Sequence, residues 1–449
     1  MIDLPNIPVT ALARRVIRTL RQHGHEALLA GGCVRDLLLG REPKDYDVAT
    51  SARPDDVEAL FARTVAVGKQ FGVIRVMDDE LPIDVEVATF RLDGPYLDGR
   101  HPSSVSFTSA REDAARRDFT INALFLDPET SEVHDYVGGL RDLKACMIRA
   151  VGDPRARFAE DKLRLLRAVR FAAGLNFDID DATWQAVREM APQVKVCSAE
   201  RIRDELSKLI THVGASRGLR MMFESGLLDV VLPEVSAMVG VMQSPEHHPE
   251  GDVFTHTLLA MDLMFKPATI SLALGVLLHD IAKPPTAVNT GGKITFHGHD
   301  KLGGEMAVEV LTRLKFPGEV IERVKSLVDD HLKFINVPKM KTATLKRLLR
   351  KPHFDEDLEL HRIDCLAGPN RLETYRFVLA KLHEFKSQGE ERSLTPKLPI
   401  DGHDLQALGL PPGPRYKELL TALEDEMLEG RISTRDEAIV FVKGLLGMP

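Results

Sequence analysis

ALLAGGCVRDLLLGREPKDYDVAT, residues 27–50, reads as a short apolar strand, a Gly-Gly turn, one helix, and a strand carrying Asp45 and Asp47. Side chains alternate faces along a strand, so both carboxylates are expected on one face with Tyr46 on the other. Two acids held that close repel each other unless a cation sits between them. Hard oxygen ligands of this kind suit Mg²⁺, which is commonly held by one or two carboxylates together with phosphate oxygens. The upstream half offers a matching anion site. Gly31 and Gly32 let the backbone approach a ligand closely. The helix expected over residues 34–39 presents its N-terminus there, and Arg35 adds a phosphate-shaped fork. Gly40 is placed to stop that helix. A surface turn with two solvated acids is the plain alternative, which a lone D-x-D would deserve.

Outward from this stretch the first third mixes strands and helices. Further strands are expected at residues 72–77, 83–91, 104–108 and 123–126, and a helix begins at Pro54 with Asp55, Asp56 and Glu58 in its first turn. ELPIDVEVATFR, residues 80–91, puts Asp84 and Glu86 on one strand face, and a third carboxylate beside Asp45 and Asp47 would complete a two-metal phosphoryl-transfer site. RLDGPYLDGRHPSSVSFT, residues 91–108, has the composition of a mobile loop. In RRDFTINA, residues 116–123, Arg117 and Asp118 suit ribose hydroxyls and phosphate oxygens, and Asn122 suits a turn; a solvated charge pair is the alternative. DPRARFAEDKLRLLRAVRF, residues 153–171, reads as a helix with an apolar stripe of Leu163, Leu166, Val169 and Ala173. Asp161 and Arg164 stand three apart and are expected to share its face. Such a pair is usually a surface salt bridge. It also has the chemistry to read a base: a carboxylate accepts from the exocyclic amine of C or A, and Arg donates to ring acceptors. G and U present a carbonyl there instead. Arg167 and Arg170 lie further along.

The combined G-G-x-V-R-D-x-L-L-G…D-x-D constellation resembles the signature of the class II nucleotidyltransferases, the tRNA CCA-adding enzymes and bacterial poly(A) polymerases. The resemblance is continuous over about residues 27–215. It implies Glu86, ahead of Thr89-Phe90-Arg91, as the third acid rather than Asp84. It implies that RRDFTINA is the second motif, with Arg117, Asp118 and Asn122 at the nucleotide. It makes Glu160, Asp161 and Arg164 an amino-acid template selecting CTP and then ATP, with Arg167 and Arg170 near triphosphate or tRNA. Residues 91–108 match a loop that helps switch between C and A. SAERIRDELSKLI, residues 198–210, matches a neck segment with a structural role and an N-cap at Ser198.

The second half carries a different pattern. His256 stands in FTHTLLAMDLM, His279-Asp280 closes ISLALGVLLHD, and His299, His331 and Asp364 follow in FHGHD, VDDHLKF and HRIDC. This resembles the HD phosphohydrolase superfamily, which implies a divalent metal on His256, His279 and Asp280. Mixed imidazole and carboxylate ligands suit Ni²⁺, Co²⁺ or Mn²⁺. His299 and His331 match additional histidines of some members, and the last ligand is open among Asp364, Asp300 and Asp330. An inactive helical scaffold is the alternative. KMKTATLKRLLRK, residues 339–351, is the densest basic stretch, either a solvated face or a phosphate-binding one. IDGHDLQALGLPPGPRY, residues 400–416, is turn-rich, and no strongly basic extension of the poly(A) polymerase kind follows it.

At 449 residues the chain is too long for one ordinary core. The expected fold is α+β: a small α/β head with a mixed sheet at 1–150, a helical neck at 151–235, an HD-type helical domain at 236–370 and a helical tail at 371–449. Hydrophobic content of 44% and charged content of 28% describe a globular protein. No apolar run reaches the roughly 20 residues of a membrane span, and the first 20 residues look like an amphipathic helix rather than a secretory leader. Cys33, Cys146, Cys197 and Cys365 form no C-x-x-C, which fits a reducing cytoplasm. A net charge of −8 leaves nucleic-acid binding to local basic groups. The combined expectation is a template-independent tRNA nucleotidyltransferase using CTP and ATP with Mg²⁺, with no membrane and no obligate protein partner. An A-adding enzyme or poly(A) polymerase is the rival within the family, and an HD metal phosphohydrolase the rival from another class.

Overall fold

The structure, a computed structural model, describes residues 4–94, 104–246, 248–291, 293–387, 394 and 397–448. The central part of the loop expected at 91–108 therefore lies outside the described residues. The chain divides into two compact units, one of residues 1–236 with 313–315, the other of residues 237–312 with 316–449.

The first unit is built on a seven-stranded mixed sheet. We number its strands β1 (Ala27–Ala30), β2 (Asp47–Thr50), β3 (Thr64–Gly68), β4 (Val73–Met77), β5 (Asp84–Thr89), β6 (Leu124–Leu126) and β7 (Val133–Asp135). Their spatial order is β3-β4-β5-β2-β1-β6-β7. β1 is buried at every position, as its unbroken ALLA requires of a central strand. The helix Pro8–Gln22 turns Leu12, Val16, Ile17 and Leu20 inward, and Phe90, Ala110, Ala114 and Phe125 join the buried core around β1 and β2. The one parallel pairing within this sheet joins β2 to β5 and sets Asp47 directly beside Glu86.

Three local expectations are corrected here. The helix expected over residues 34–39 runs Gly32–Leu38, so it starts at the second glycine itself. Asp45 precedes β2 in a bend, so only Asp47 belongs to the strand. The helix expected through residues 153–171 is two helices, Pro154–Glu160 and Leu163–Leu175, with Asp161 extended between them at φ −143°. β3 and β7 were not expected. β3 is mostly exposed at the sheet edge, so it carries little burial signal, and β7 is only three residues long.

Beyond the sheet the first unit is helical. Leu163–Leu175 packs against Ala199–Ile210 and Ala215–Glu224. Gly214 starts the last of these in a left-handed conformation, where a Cβ would lie 2.3 Å from the carbonyl oxygen of Ala173. Glycine alone permits that approach. Ser198 occupies the N-cap of Ala199–Ile210 without a capping side-chain bond.

In the second unit the apolar helix Ile270–Leu278 is buried against Val253–Leu263, Gly318–Asp330 and Phe354–Ala367. Gly402–Ala407, Pro414–Leu428 and Arg435–Leu446 close a separate small core around Leu405, Leu419, Leu423 and Val442. The basic stretch at 339–351 is not an open cationic face. Arg347 pairs with Glu424 and Asp425, Arg350 with Glu424, and Lys351 with Asp330, while Lys346 is buried over Phe385.

Candidate active site

Asp45, Asp47 and Glu86 line one end of a cavity of about 770 Å³ in the first unit. Glu86 faces it because the parallel register places it level with Asp47. Asp84, two residues earlier, is spent on Arg75 at 2.6 Å and stays outside. None of the three lining carboxylates forms an ion pair among the described residues. Burial first, and then the charge of Glu86, pushes the Asp47 carboxyl up to about 6. Burial also raises Glu86. Three crowded oxygen donors without a partner fit a divalent cation, whose charge would relieve both effects.

Next to the carboxylates the Gly-Gly turn is crowded at its first residue. Gly31 has φ 77°, and a Cβ there would meet Arg117 Nη1 at 2.7 Å. Arg117 donates to the Asn122 carbonyl at 3.0 Å and pairs with buried Asp113 at 3.1 Å. Arg35, also buried, donates from Nη1 to Asn122 Oδ1 at 2.7 Å. Asn122 Nδ2 donates to Asp118 Oδ1 at 3.2 Å, and Arg167 Nε donates to Asp118 Oδ2 at 2.8 Å. A single chain of bonds thus runs Arg35–Asn122–Asp118–Arg167. Burial pushes the Asp118 carboxyl up, but Arg167 outweighs it and holds the group down at about 2. Asp118 is therefore an anion at any physiological pH.

Asp161 and Arg164 line the same cavity, but they do not pair with each other. The break at Asp161 turns its carboxylate to Arg201, which donates from Nη1 at 3.1 Å and Nη2 at 2.6 Å. Arg164 donates from Nη1 to Glu160 Oε2 at 2.6 Å and to the Arg157 carbonyl at 2.9 Å. Glu160 is outside the cavity lining and acts as the brace of Arg164. Arg167 and Arg170 line the cavity and meet the buried carboxylate of Glu205 at 3.4 Å and 2.5 Å. Arg201 and Glu205, which the sequence presents only as neck structure, are thus in contact with the cavity-lining groups. Their i,i+4 spacing, with charges opposite to Asp161 and Arg167, was the available signal.

The second unit brings its own cluster together. His256, His279 and Asp364 place ligand atoms within 4.8 Å of one another, as do Asp280, His299 and His331. His279, His299 and His331 each direct Nδ1 at the carbonyl three residues earlier, those of Val276, Phe296 and Val328, at 2.6–2.8 Å. His256 directs Nδ1 at Glu250 Oε1 at 2.5 Å. With Nδ1 donating, the Nε2 lone pairs of His279, His299 and His331 are left for the cluster, the arrangement of metal-bound imidazoles, while His256 Nε2 stands 3.1 Å from Asp364 Oδ1. Burial opposes a charge on His256, but Asp364 and Glu250 outweigh it and push the ring up to about 9. Burial and the neighbouring His279 bring His331 down to about 4. Asp330 is bound to Lys351 at 2.7 Å and, like Asp300, is outside the cluster. Glu250 and His248, also unexpected from the sequence, extend it. A cavity of about 650 Å³ opens beside it, lined by Lys283, Phe296, His361 and Arg371 among others.

Three protein families match along the chain: a poly A polymerase head domain over residues 27–149, a probable RNA and SrmB-binding site of polymerase A over 176–238, and an HD domain over 253–367. The chain is 34% identical over 432 residues to an A-adding tRNA nucleotidyltransferase of Deinococcus radiodurans, covering 93% of this chain and 95% of that protein. It is 32% identical over 426 residues to a CCA-adding enzyme of a Geobacillus species, covering 94% of each. The crystal structure of the Bacillus stearothermophilus CCA-adding enzyme in complex with CTP superposes with a TM-score of 0.75 at 28% identity, covering 98% of both chains.

The crowding at Asp47 has a measurable cost. Its folded pKa of about 6 lies above the ordinary carboxylate range, so folding is penalised by ionisation. The penalty is absent below about pH 4 and develops as pH rises through 6. Asp47→Asn is expected to stabilise the metal-free protein at pH 7 by roughly 1–2 kcal/mol and to change little at pH 4. Urea unfolding of both proteins at the two pH values checks this.

Proposed function

The chain belongs to the tRNA nucleotidyltransferase family of CCA-adding and A-adding enzymes, and on that premise we propose that it adds C and A to the 3′ end of tRNA from CTP and ATP. It is a nucleotidyltransferase. The observation that carries the proposal is a single cavity with Asp45, Asp47 and Glu86 at one end and Asp161 with Arg164 among its other lining groups. A divalent cation such as Mg²⁺, bound by those three carboxylates, would offset charge at the α-phosphate and activate the attacking hydroxyl.

The other residues follow from their partners. Asp118, held ionised, accepts from a ribose hydroxyl. Arg117, Arg167 and Arg170 face phosphate oxygens, and the Gly31-Gly32 turn brings main-chain N–H groups to the same charge. Asp161 accepts from the amine of C or A, and Arg164 donates to the ring acceptors. Arg201 keeps Asp161 pointed at the base, and Glu160 keeps Arg164 in place. No template strand is needed, because the discriminating donors and acceptors belong to the protein. All four cysteines are free, and no helix among the described residues is long and apolar enough to cross a membrane. A reducing cytoplasm suits both observations.

The His/Asp cluster supports a second activity in the other unit. The four converging Nε2 atoms with Asp280 and Asp364 suit a borderline divalent metal such as Ni²⁺, Co²⁺ or Mn²⁺, and metal-assisted hydrolysis of a small phosphoester is the chemistry that matches.

Purified protein incubated with tRNAs truncated before the first C, before the second C and before the terminal A is expected to extend all three. Extension of the last alone identifies an A-adding enzyme, and a long A tail identifies a poly(A) polymerase. Asp161→Ala and Arg201→Ala are both expected to relax discrimination against UTP and GTP roughly ten- to a hundredfold, the worth of one bidentate base contact. Unchanged selectivity in competition assays would return Asp161 to a structural ion pair. The double variant His279→Ala/Asp280→Ala is expected to lose Mn²⁺ or Ni²⁺ binding in calorimetry while extending tRNA at the wild-type rate.

A further inference from the structure

The row of side chains that carries Asp47 and Glu86 continues one strand further. Antiparallel pairing of β4 with β5 sets Arg75 opposite Glu86 and Met77 opposite Asp84. Parallel pairing of β2 with β5 sets Asp47 on the other side of Glu86. Asp47, Glu86 and Arg75 therefore stand level across three strands. Directly opposed side chains on antiparallel strands start about 5 Å apart, and diagonal ones about 7–8 Å. An arginine level with a glutamate thus has that glutamate as its nearest partner. Arg75 does not take it. Its guanidinium turns to the diagonal residue, Asp84, donating from Nε at 2.9 Å and from Nη2 at 2.6 Å. Glu86 has no ion pair among the described residues and lines the large cavity, while Arg75 and Asp84 do not.

We propose that Asp84 is a positioning residue of the nucleotidyl-transfer site: it captures Arg75 and so keeps Glu86 free for the divalent cation. The proposal rests on the reading of Asp45, Asp47 and Glu86 as metal-binding groups and adds what keeps that site open.

The other pairing would disable the site twice. A Glu86 carboxylate bonded to a guanidinium has fewer lone pairs left for a cation. A fixed positive charge beside Glu86 also repels a divalent ion. Two bonds from a second carboxylate remove both effects, because a forked pair fixes the direction of the guanidinium as well as answering its charge. The Arg75 and Asp84 side chains are 46% and 31% exposed. A pair this exposed contributes little to stability, and buried Val85 and Val87 hold β5 without it. Its effect is on where Arg75 points. The two acids of Asp84-Val85-Glu86 thus divide the work: one faces the metal site, and the other holds the side chain that would close it.

The test compares the full-length wild type with Asp84→Ala and with Arg75→Ala/Asp84→Ala. In a crystal structure of Asp84→Ala, the Arg75 guanidinium is expected within hydrogen-bond distance of Glu86. A guanidinium still directed away from Glu86 would overturn the proposal. Occupancy is read with Fe²⁺, ascorbate and peroxide, since radicals formed at the bound ion cut the backbone beside it. Cleavage near residues 45–47 and 86 is thereby separated from cleavage in the second unit. The Fe²⁺ needed for half-maximal cleavage there is expected to rise about two- to fivefold in Asp84→Ala, the worth of one partly exposed ion pair. It is expected to return to the wild-type value in the double variant. In tRNA extension the half-saturating Mg²⁺ is expected to move by the same factor, with a smaller change in the rate at saturating Mg²⁺. An unchanged metal requirement in Asp84→Ala, or a double variant as impaired as the single one, would also overturn it. A wild type with no cleavage near residues 45–47 and 86 would instead sink the metal reading, and the direction of Arg75 in Asp84→Ala would still decide whether Asp84 captures it.

Discussion

Setting two carboxylates side by side on neighbouring parallel strands is electrostatically unfavourable, and the first unit is arranged around that fact. The register that aligns Asp47 with Glu86 follows from the pairing of β2 with β5, and that pairing is fixed by buried Val48 and Val87 beside them. A one-residue slip of either strand would turn its acid away from the cavity and drive its valine into it. The apolar core thus enforces a local repulsion that it does not share in. What the fold withholds from the acids is a neutralising side chain, and that omission leaves room for a cation and a phosphate.

Around this point charge is balanced in a second layer. Asp113 answers Arg116 and Arg117, Asp118 answers Arg167, Glu160 answers Arg157 and Arg164, and Glu205 answers Arg167 and Arg170. These arginines are held in place by buried or half-buried acids rather than left to search solvent, which lowers the entropy lost when they engage a ligand. Asn122 links the Arg35 side of this layer to the Asp118 side, so a neutral amide ties two charged groups to one geometry. The four histidines of the second unit solve the opposite problem. There the imidazoles of His279, His299 and His331 must be oriented, and backbone carbonyls do it.

What could be read in advance follows from the range of the interaction. Asp47 and the strand of Glu86 were legible because a two-residue period is local and the neighbouring residues are apolar. The Gly-Gly turn and the left-handed Gly40 were legible from the requirements of positive φ. The His/Asp residues were legible by type, yet the choice of Asp364 over Asp330 was not, because Lys351 claims Asp330 through folding. The break at Asp161 was hidden for a similar reason. Neither glycine nor proline marks it, and Arg201, forty residues on, is what engages its carboxylate. The basic stretch at 339–351 left a solvated and a phosphate-binding face open because Glu424 and Asp425, which pair with its Arg347 and Arg350, lie more than seventy residues away. The edge strand β3 left little trace because few of its side chains are buried.

The backbone anchoring of His279, His299 and His331 has a consequence for how the two sites age under mutation. Each imidazole takes its tautomer from a carbonyl three residues back, and every residue type supplies that carbonyl. Substitution of Val276, Phe296 or Val328 by another residue compatible with the local backbone leaves the hydrogen bond in place. These three ligands are therefore insulated from drift among their neighbours, and only His256, oriented by the Glu250 side chain, depends on one. The head has no such insulation, because Arg35 and Asp118 depend on the side chain of Asn122. In a lineage that stopped using both sites, the head would decay first, and a histidine cluster of intact geometry would persist as the more durable relic.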